Sequence, residues 1–201
     1  MIENERIEAL KKIDKGILLL KKSPLYAYRL ENKYVPVPGE GSPSAHIMFV
    51  GEAPGKKEAI TGKPFCGASG KILDNLLAGV GIVRPDVFIT SIVKDRPPEN
   101  RDPTPAEIKL YAPFLDKQID VIQPKVIATL GRFSMEYVLA KFGFQSDLEP
   151  ISKLHGKIFK TKTSYGDLYI VPLYHPAAAI YNQRLKGTLM EDFKVLKNLY
   201  K

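Results

Sequence analysis

Apolar residues recur at helical spacing through the start of the chain, at Ile7, Leu10, Ile13, Ile17, Leu18 and Leu20. That period predicts an amphipathic helix over residues 3–21, ended at Ser23-Pro24 because the position before a proline disfavours helix. Residues 34–45 hold Pro36, Pro38, Gly39, Gly41 and Pro43 and read as loop. Short, unbroken apolar runs follow at 47–50, 87–93 and 125–130, with strand patterns again at 156–161 and 167–173. Runs without polar alternation suit strands buried on both faces. Between them the period changes to 3.6, predicting helices over 69–80 (Ile72, Leu73, Leu76 and Leu77 on one face), 104–122, 134–142 and 188–199. Thr104-Pro105-Ala106-Glu107 combines a cap residue, proline at the first helical position and Glu three after the cap, the pattern of a capping box. Pro124 ends that helix.

Strands alternating with helices imply parallel pairing, because each crossover must return the chain to the same sheet edge. The expected fold is therefore α/β: a three-layer α/β/α sandwich around a central, mostly parallel, four-stranded sheet. A chain of 201 residues is expected to form one domain, 1–201, with enough length for a substantial core.

Composition narrows the chemistry. The formal net charge is +8. Such an excess favours a polyanionic partner, although a lysine-rich solvated surface produces the same number. Cys66 is the one cysteine, which excludes an intrachain disulfide. No apolar run approaches the ~20 residues of a membrane span, and the charged start lacks a signal-peptide core. No membrane partner and a cytoplasmic location are expected. One cysteine and three scattered histidines match no zinc spacing, so no metal site is expected.

Loops that follow successive parallel strands gather at one sheet edge. The loop after the first strand, 51–70, carries Glu52 at its mouth and Phe65 between Gly62-Lys63-Pro64 and Gly67. The second strand ends near Ser91 and leads to Arg96; the last ends at Tyr174-His175-Pro176-Ala177. The glycine-rich loop is not a Walker A phosphate cradle, since Gly70-Lys71 is followed by Ile72 and position 65 is Phe. The dinucleotide fingerprint fails on spacing as well. His46 and His155 lack comparable surroundings and are read as structural, and Cys66 as a packed small residue. Arg96, Arg101, Arg184 and Lys186 suit either plain surface charge or phosphate contacts.

Taken in order, Gly51-Glu-Ala-Pro-Gly55, Gly62-Lys-Pro-Phe-Cys-Gly-Ala-Ser-Gly70, the stretch 96–104, the stretch 124–132, His175-Pro176-Ala177 and Glu191-Asp192-Phe193 resemble the uracil-DNA glycosylase superfamily, most closely its family 4 branch. The resemblance covers nearly the whole chain from Ser23 onward. It implies a monofunctional glycosylase of base excision repair, which flips a deaminated base from single- or double-stranded DNA and hydrolyses its N-glycosidic bond to leave an abasic site. It implies catalytic roles for Glu52 and His175. Gly51, Ala53, Phe65 and Ser91 would bind the base. Ser69, Gly70, Arg96, Tyr181, Arg184 and Lys186 would contact DNA, the last three on a loop over 178–189 that enters the duplex. A monomer is expected, with a sliding clamp as a candidate recruiting partner.

Two departures from the resemblance matter. The family carries a 4Fe–4S cluster on four cysteines, and those places hold Leu20, Ser23, Asp95 and Tyr111. None supplies a thiolate, so no cofactor is expected, and packing, for example Leu20 against Tyr111, must replace the cluster. The family places Asn at the end of the second strand, where this chain has Ser91. A hydroxyl rotates and discriminates less than an amide, which opens the pocket to hypoxanthine or xanthine as alternatives to uracil. A lesion-binding protein with weak or no catalysis, and a nucleoside-binding protein, stand as rival readings.

Overall fold

The computed structural model describes residues 1–200. Its elements are α1 (Glu3–Leu18), α2 (Leu25–Glu31), β1 (Glu40–Gly41), β2 (Ile47–Gly51), α3 (Lys56–Thr61), α4 (Ala68–Val80), β3 (Phe88–Ser91), α5 (Pro105–Ile122), β4 (Val126–Leu130), α6 (Arg132–Lys141), α7 (Ile151–Leu154), β5 (Phe159–Thr163), β6 (Gly166–Leu173), α8 (Ala178–Tyr181) and α9 (Leu185–Tyr200). The strands form one sheet in the order β1-β3-β2-β4-β6-β5. The pairs β3–β2, β2–β4 and β4–β6 are parallel, and the edges β1 and β5 are antiparallel. The three-layer class stands. The strand count is corrected from four to six, because two short edge strands flank the four-stranded parallel core.

Parallel strands covered on both faces explain the apolar runs. Ile47, Phe49, Val126, Ala128, Val171 and Leu173 face α4 and α9, through Leu73, Leu77, Leu189, Phe193 and Leu196. Met48, Val50, Ile127 and Ile170 face α5 and α6, through Leu115, Ile119, Met135 and Val138. α1 packs outside α5, with Ile13, Ile17, Leu20, Leu25, Val93 and Tyr111 in a third apolar cluster.

The Thr104 box forms as expected: Glu107 N–H donates to Thr104 Oγ1 at 3.2 Å, and Thr104 N–H donates to Glu107 Oε2 at 2.8 Å. Elsewhere the chain differs from its pattern. α1 stops at Leu18, since Leu18 and Leu19 point to solvent rather than the core. Part of the 34–45 loop is β1, held by backbone pairing to β3 that its prolines and glycines do not announce. The stretch 178–189 is not one loop: it is α8, a short connection and the first turn of α9.

The chain runs from β2 to β3 on one side, then through α5 to β4 on the other side of β2. That reversal opens a crevice beyond the C-terminal ends of the central strands. β2 delivers Gly51, β3 delivers Ser91 and β6 leads into His175 at this end.

Candidate active site

The crevice holds a cavity of about 320 Å³. Its lining includes Glu52, Ala53, Phe65, Ser69, Ser91 and His175, so six of the residues predicted from sequence meet although they span more than 120 positions. Gly51 packs behind two of them, Phe65 and Ser91. A Cβ there would stand 3.0 Å from the Phe65 ring and 3.1 Å from Ser91 Oγ, so any larger residue would fill the space.

Phe65 is held in an unusual way. Its φ is +48°, a left-handed conformation that a bulky residue adopts at a cost. Two features impose it. Glu58 of α3 is buried and turns its carboxylate back under the loop, where Oε1 accepts from Cys66 N–H at 3.1 Å and Gly67 N–H at 3.0 Å. The Phe65 carbonyl also lies against the Cα of Gly70, leaving no room for a side chain there. The phenyl ring therefore faces His175, with ring centroids 5.6 Å apart and planes at 30°.

His175 is a neutral donor. Its Nδ1 accepts from Ala177 N–H at 3.1 Å, which leaves the ring proton on Nε2. Burial depresses its pKa to about 4, despite the opposing pull of Glu58, so the imidazole is uncharged at neutral pH. Glu52 shifts the other way. Burial and the neighbouring Asp102 carboxylate raise it to about 7, with Arg132 opposing. Asp102 and Arg132 are themselves ion-paired. A carboxylate near 7 and a neutral N–H donor in one cavity are complementary tools for cleaving a bond that leaves charge on both fragments.

Several predicted DNA contacts take different places. Gly70 is buried and serves the packing of Phe65. Arg96 is half-buried and tied to protein partners: Nε donates to Asn100 Oδ1 at 2.8 Å, and Nη1 to the hydroxyls of Tyr34 at 2.9 Å and Tyr28 at 3.3 Å. Arg101 forms a two-bond ion pair with Glu107. Tyr181 ends α8, Arg184 lies in the connection after it and Lys186 in the first turn of α9; none lines the cavity, and all three are exposed, Tyr181 at 89%.

Three contributors escape the sequence patterns. Glu58 lay inside the glycine-rich loop but pairs only with backbone, which no motif spells out. Asn100 lines the cavity with a φ of +56°, next to Glu99 at +54°. Lys94 is wholly buried; its Nζ donates to Thr90 Oγ1, Gln118 Oε1 and the Pro38 carbonyl, beside the cavity residue Val37. Burial lowers its pKa to about 7. Of the remaining histidines, His155 Nδ1 lies 2.8 Å from Asp192 Oδ2 and its ring packs on Tyr174. The pair braces the strand end that carries His175.

The model of the uracil DNA glycosylase superfamily matches residues 38–196. A type-4 uracil-DNA glycosylase of Sulfurisphaera tokodaii is 45% identical over 96% of this chain and 86% of its own length. That of Saccharolobus solfataricus is 49% identical over 80% and 74%, and that of Archaeoglobus fulgidus 40% over 96% and 94%.

Proposed function

The chain belongs to the uracil DNA glycosylase superfamily, and on that footing we propose that its cavity excises uracil from DNA by hydrolysing the N-glycosidic bond. The observation that carries this reading is the pairing of Phe65 with a neutral His175 whose Nε2–H is free, in the same cavity as Glu52. The base leaves the duplex at a cost of a few kcal/mol, least when it is mismatched, and stacking on Phe65 offsets part of it. The bond between C1′ and the base nitrogen breaks with its electron pair on the base. His175 Nε2–H donates to O2, and that bond strengthens as negative charge develops. Ionised Glu52 stabilises the cationic sugar and takes a proton from the water that adds to C1′. The base anion then gains a proton as Glu52 gives up the one it took, so the products are neutral free base and an abasic site, the first intermediate of base excision repair.

Ser91 faces the base on the wall formed by β3. It lines the cavity, and a hydroxyl there serves as either donor or acceptor. The pocket therefore accepts other deaminated bases more readily than one with an amide there. The same reading has a cytoplasmic monomer working on single- and double-stranded DNA, with recruitment by a sliding clamp checked by co-purification. Among the described residues no helix is long and apolar enough to cross a membrane.

Oligonucleotides bearing U·G, U·A, single-stranded U, hypoxanthine or xanthine, incubated and then cleaved with alkali, provide the test. Strand scission at uracil is expected; a panel without scission refutes the catalytic reading and leaves a lesion-binding protein. Ser91→Asn should raise the preference for uracil over hypoxanthine by about tenfold or more, since a matched polar contact discriminates by at least that factor.

A further inference from the structure

The four places that resemble cluster ligands are filled in a way that does not fit iron. Leu20, Ser23, Asp95 and Tyr111 are all buried, at 8%, 4%, 1% and 0% exposure, and the three polar ones are bonded to protein. Arg29 Nη1 lies 3.1 Å from both Asp95 oxygens, and its Nη2 donates to the Leu18 carbonyl at 2.6 Å. The Tyr111 oxygen lies 2.5 Å from Asp95 Oδ2 and 2.9 Å from Ser23 Oγ, and Ser23 Oγ accepts from Leu25 N–H at 3.1 Å. A phenol has one proton, and the carboxylate is the stronger acceptor, so the Ser23 hydroxyl donates to Tyr111. Burial and the Asp95 charge hold the phenol far above its ordinary range, which keeps it a donor. The buried charges thus have opposite sign and close partners, the condition under which such a pair is tolerated. Leu20 and Tyr111 share an apolar cluster, and the polar bonds add to that packing.

We propose that Ser23, Arg29, Asp95 and Tyr111 form a metal-free clasp that closes α1 and α2 onto the β3–α5 connection and positions the pocket wall in the glycosylase proposed above. The route to the pocket is short. Arg29 and Tyr28 are neighbours on α2, and Asp95 and Arg96 are neighbours in the β3–α5 connection. While Arg29 grips Asp95, Tyr28 and Tyr34 grip Arg96, and Arg96 grips Asn100 at the cavity. Asn100 and Glu99 hold left-handed backbones, a conformation that persists only when its surroundings enforce it. Asp95 and Arg29 are accordingly positioning residues, with no contact to substrate.

The test compares wild type, Arg29→Met, Asp95→Leu, their double variant and Tyr111→Phe. Wild type should purify without stoichiometric iron, and its thermal midpoint should be unmoved by chelator or oxidant. Each member of the pair changed alone leaves an unpaired buried charge and should lower Tm by about 10 °C, while the double variant should recover at least half the loss. Tyr111→Phe, which removes only a hydroxyl, should fold and lower Tm by about 2–4 °C. In that variant kcat for uracil should fall about threefold or more, with KM for DNA nearly unchanged. Additive losses in the double variant, bound iron near four per chain in wild type, or Tyr111→Phe indistinguishable from wild type in Tm and kcat would each overturn the clasp. Melting and metal content are read without substrate, so a failure of the excision assay on wild type refutes the enzyme reading and leaves the clasp to be judged on its own.

Discussion

At the level of single residues the site depends on two groups whose pKa values burial shifts in opposite directions. His175 stays neutral through the physiological range because its surroundings exclude water and its Nδ1 is occupied by a backbone donor. His175→Ala should slow single-turnover excision by about 10²–10³-fold, as removal of one preorganised donor does elsewhere, with DNA affinity much less affected. Glu52 titrates near 7. If its ionised form does the work, the excision rate should rise with pH through about 7, and Glu52→Gln should flatten that limb. The same shift has a stability consequence. Between about 4.5 and 7 the unfolded chain releases this proton while the folded chain retains it, so folding stability falls as pH rises through that window. Glu52→Gln should therefore melt above wild type at pH 8 while losing activity. A variant that loses both would show that the carboxylate is structural.

At the level of elements, what matters is how a six-residue helix and a loop hold one ring. α3 contributes Glu58, whose carboxylate satisfies two backbone donors and bends the chain so that Phe65 faces the cavity. Glu58→Ala leaves those buried N–H groups unpaired, at a cost of roughly 1–3 kcal/mol. It should lower Tm by about 5 °C and kcat/KM by about tenfold, whereas Glu58→Gln, which keeps an acceptor, should recover most of both. The long helices and buried strands were legible because each announces itself by period: α4, α5 and α9 by stripes, β2 and β4 by unbroken apolar runs. α2, α3, α8 and β1 were not. They are short, and their stability comes from docking rather than from local preference, so no periodicity marks them. Most of the cavity lining followed from strand ends. Asn100 in the lining and Lys94 beside it did not, because a left-handed turn and a buried amine are consequences of neighbours distant in sequence.

Over the whole molecule, charge and topology act together. The net charge of +8 makes affinity for DNA depend on counterion release, so log K should fall linearly with log salt. The exposed Arg184 and Lys186 lie outside the cavity lining, and changing both to Ala should reduce the slope by about 2, measured by fluorescence anisotropy. Arg96 and Arg101, which sequence leaves open between surface charge and phosphate contact, are tied to Asn100 and Glu107. Arg101→Ala should thus act on stability more than on the salt slope.

Much of this protein can be derived from residue order alone. Apolar period selects the α/β class, strand ends nominate Glu52, Ser91 and His175, and the motifs together indicate the superfamily, because these depend on patterns that are local in the chain. The direction of a pKa shift, the tautomer of His175, the left-handed turn at Phe65 and the clasp among Ser23, Arg29, Asp95 and Tyr111 depend on groups that meet only after folding. Desolvation and hydrogen-bond partnership are properties of a position in space, and a linear pattern carries no record of them.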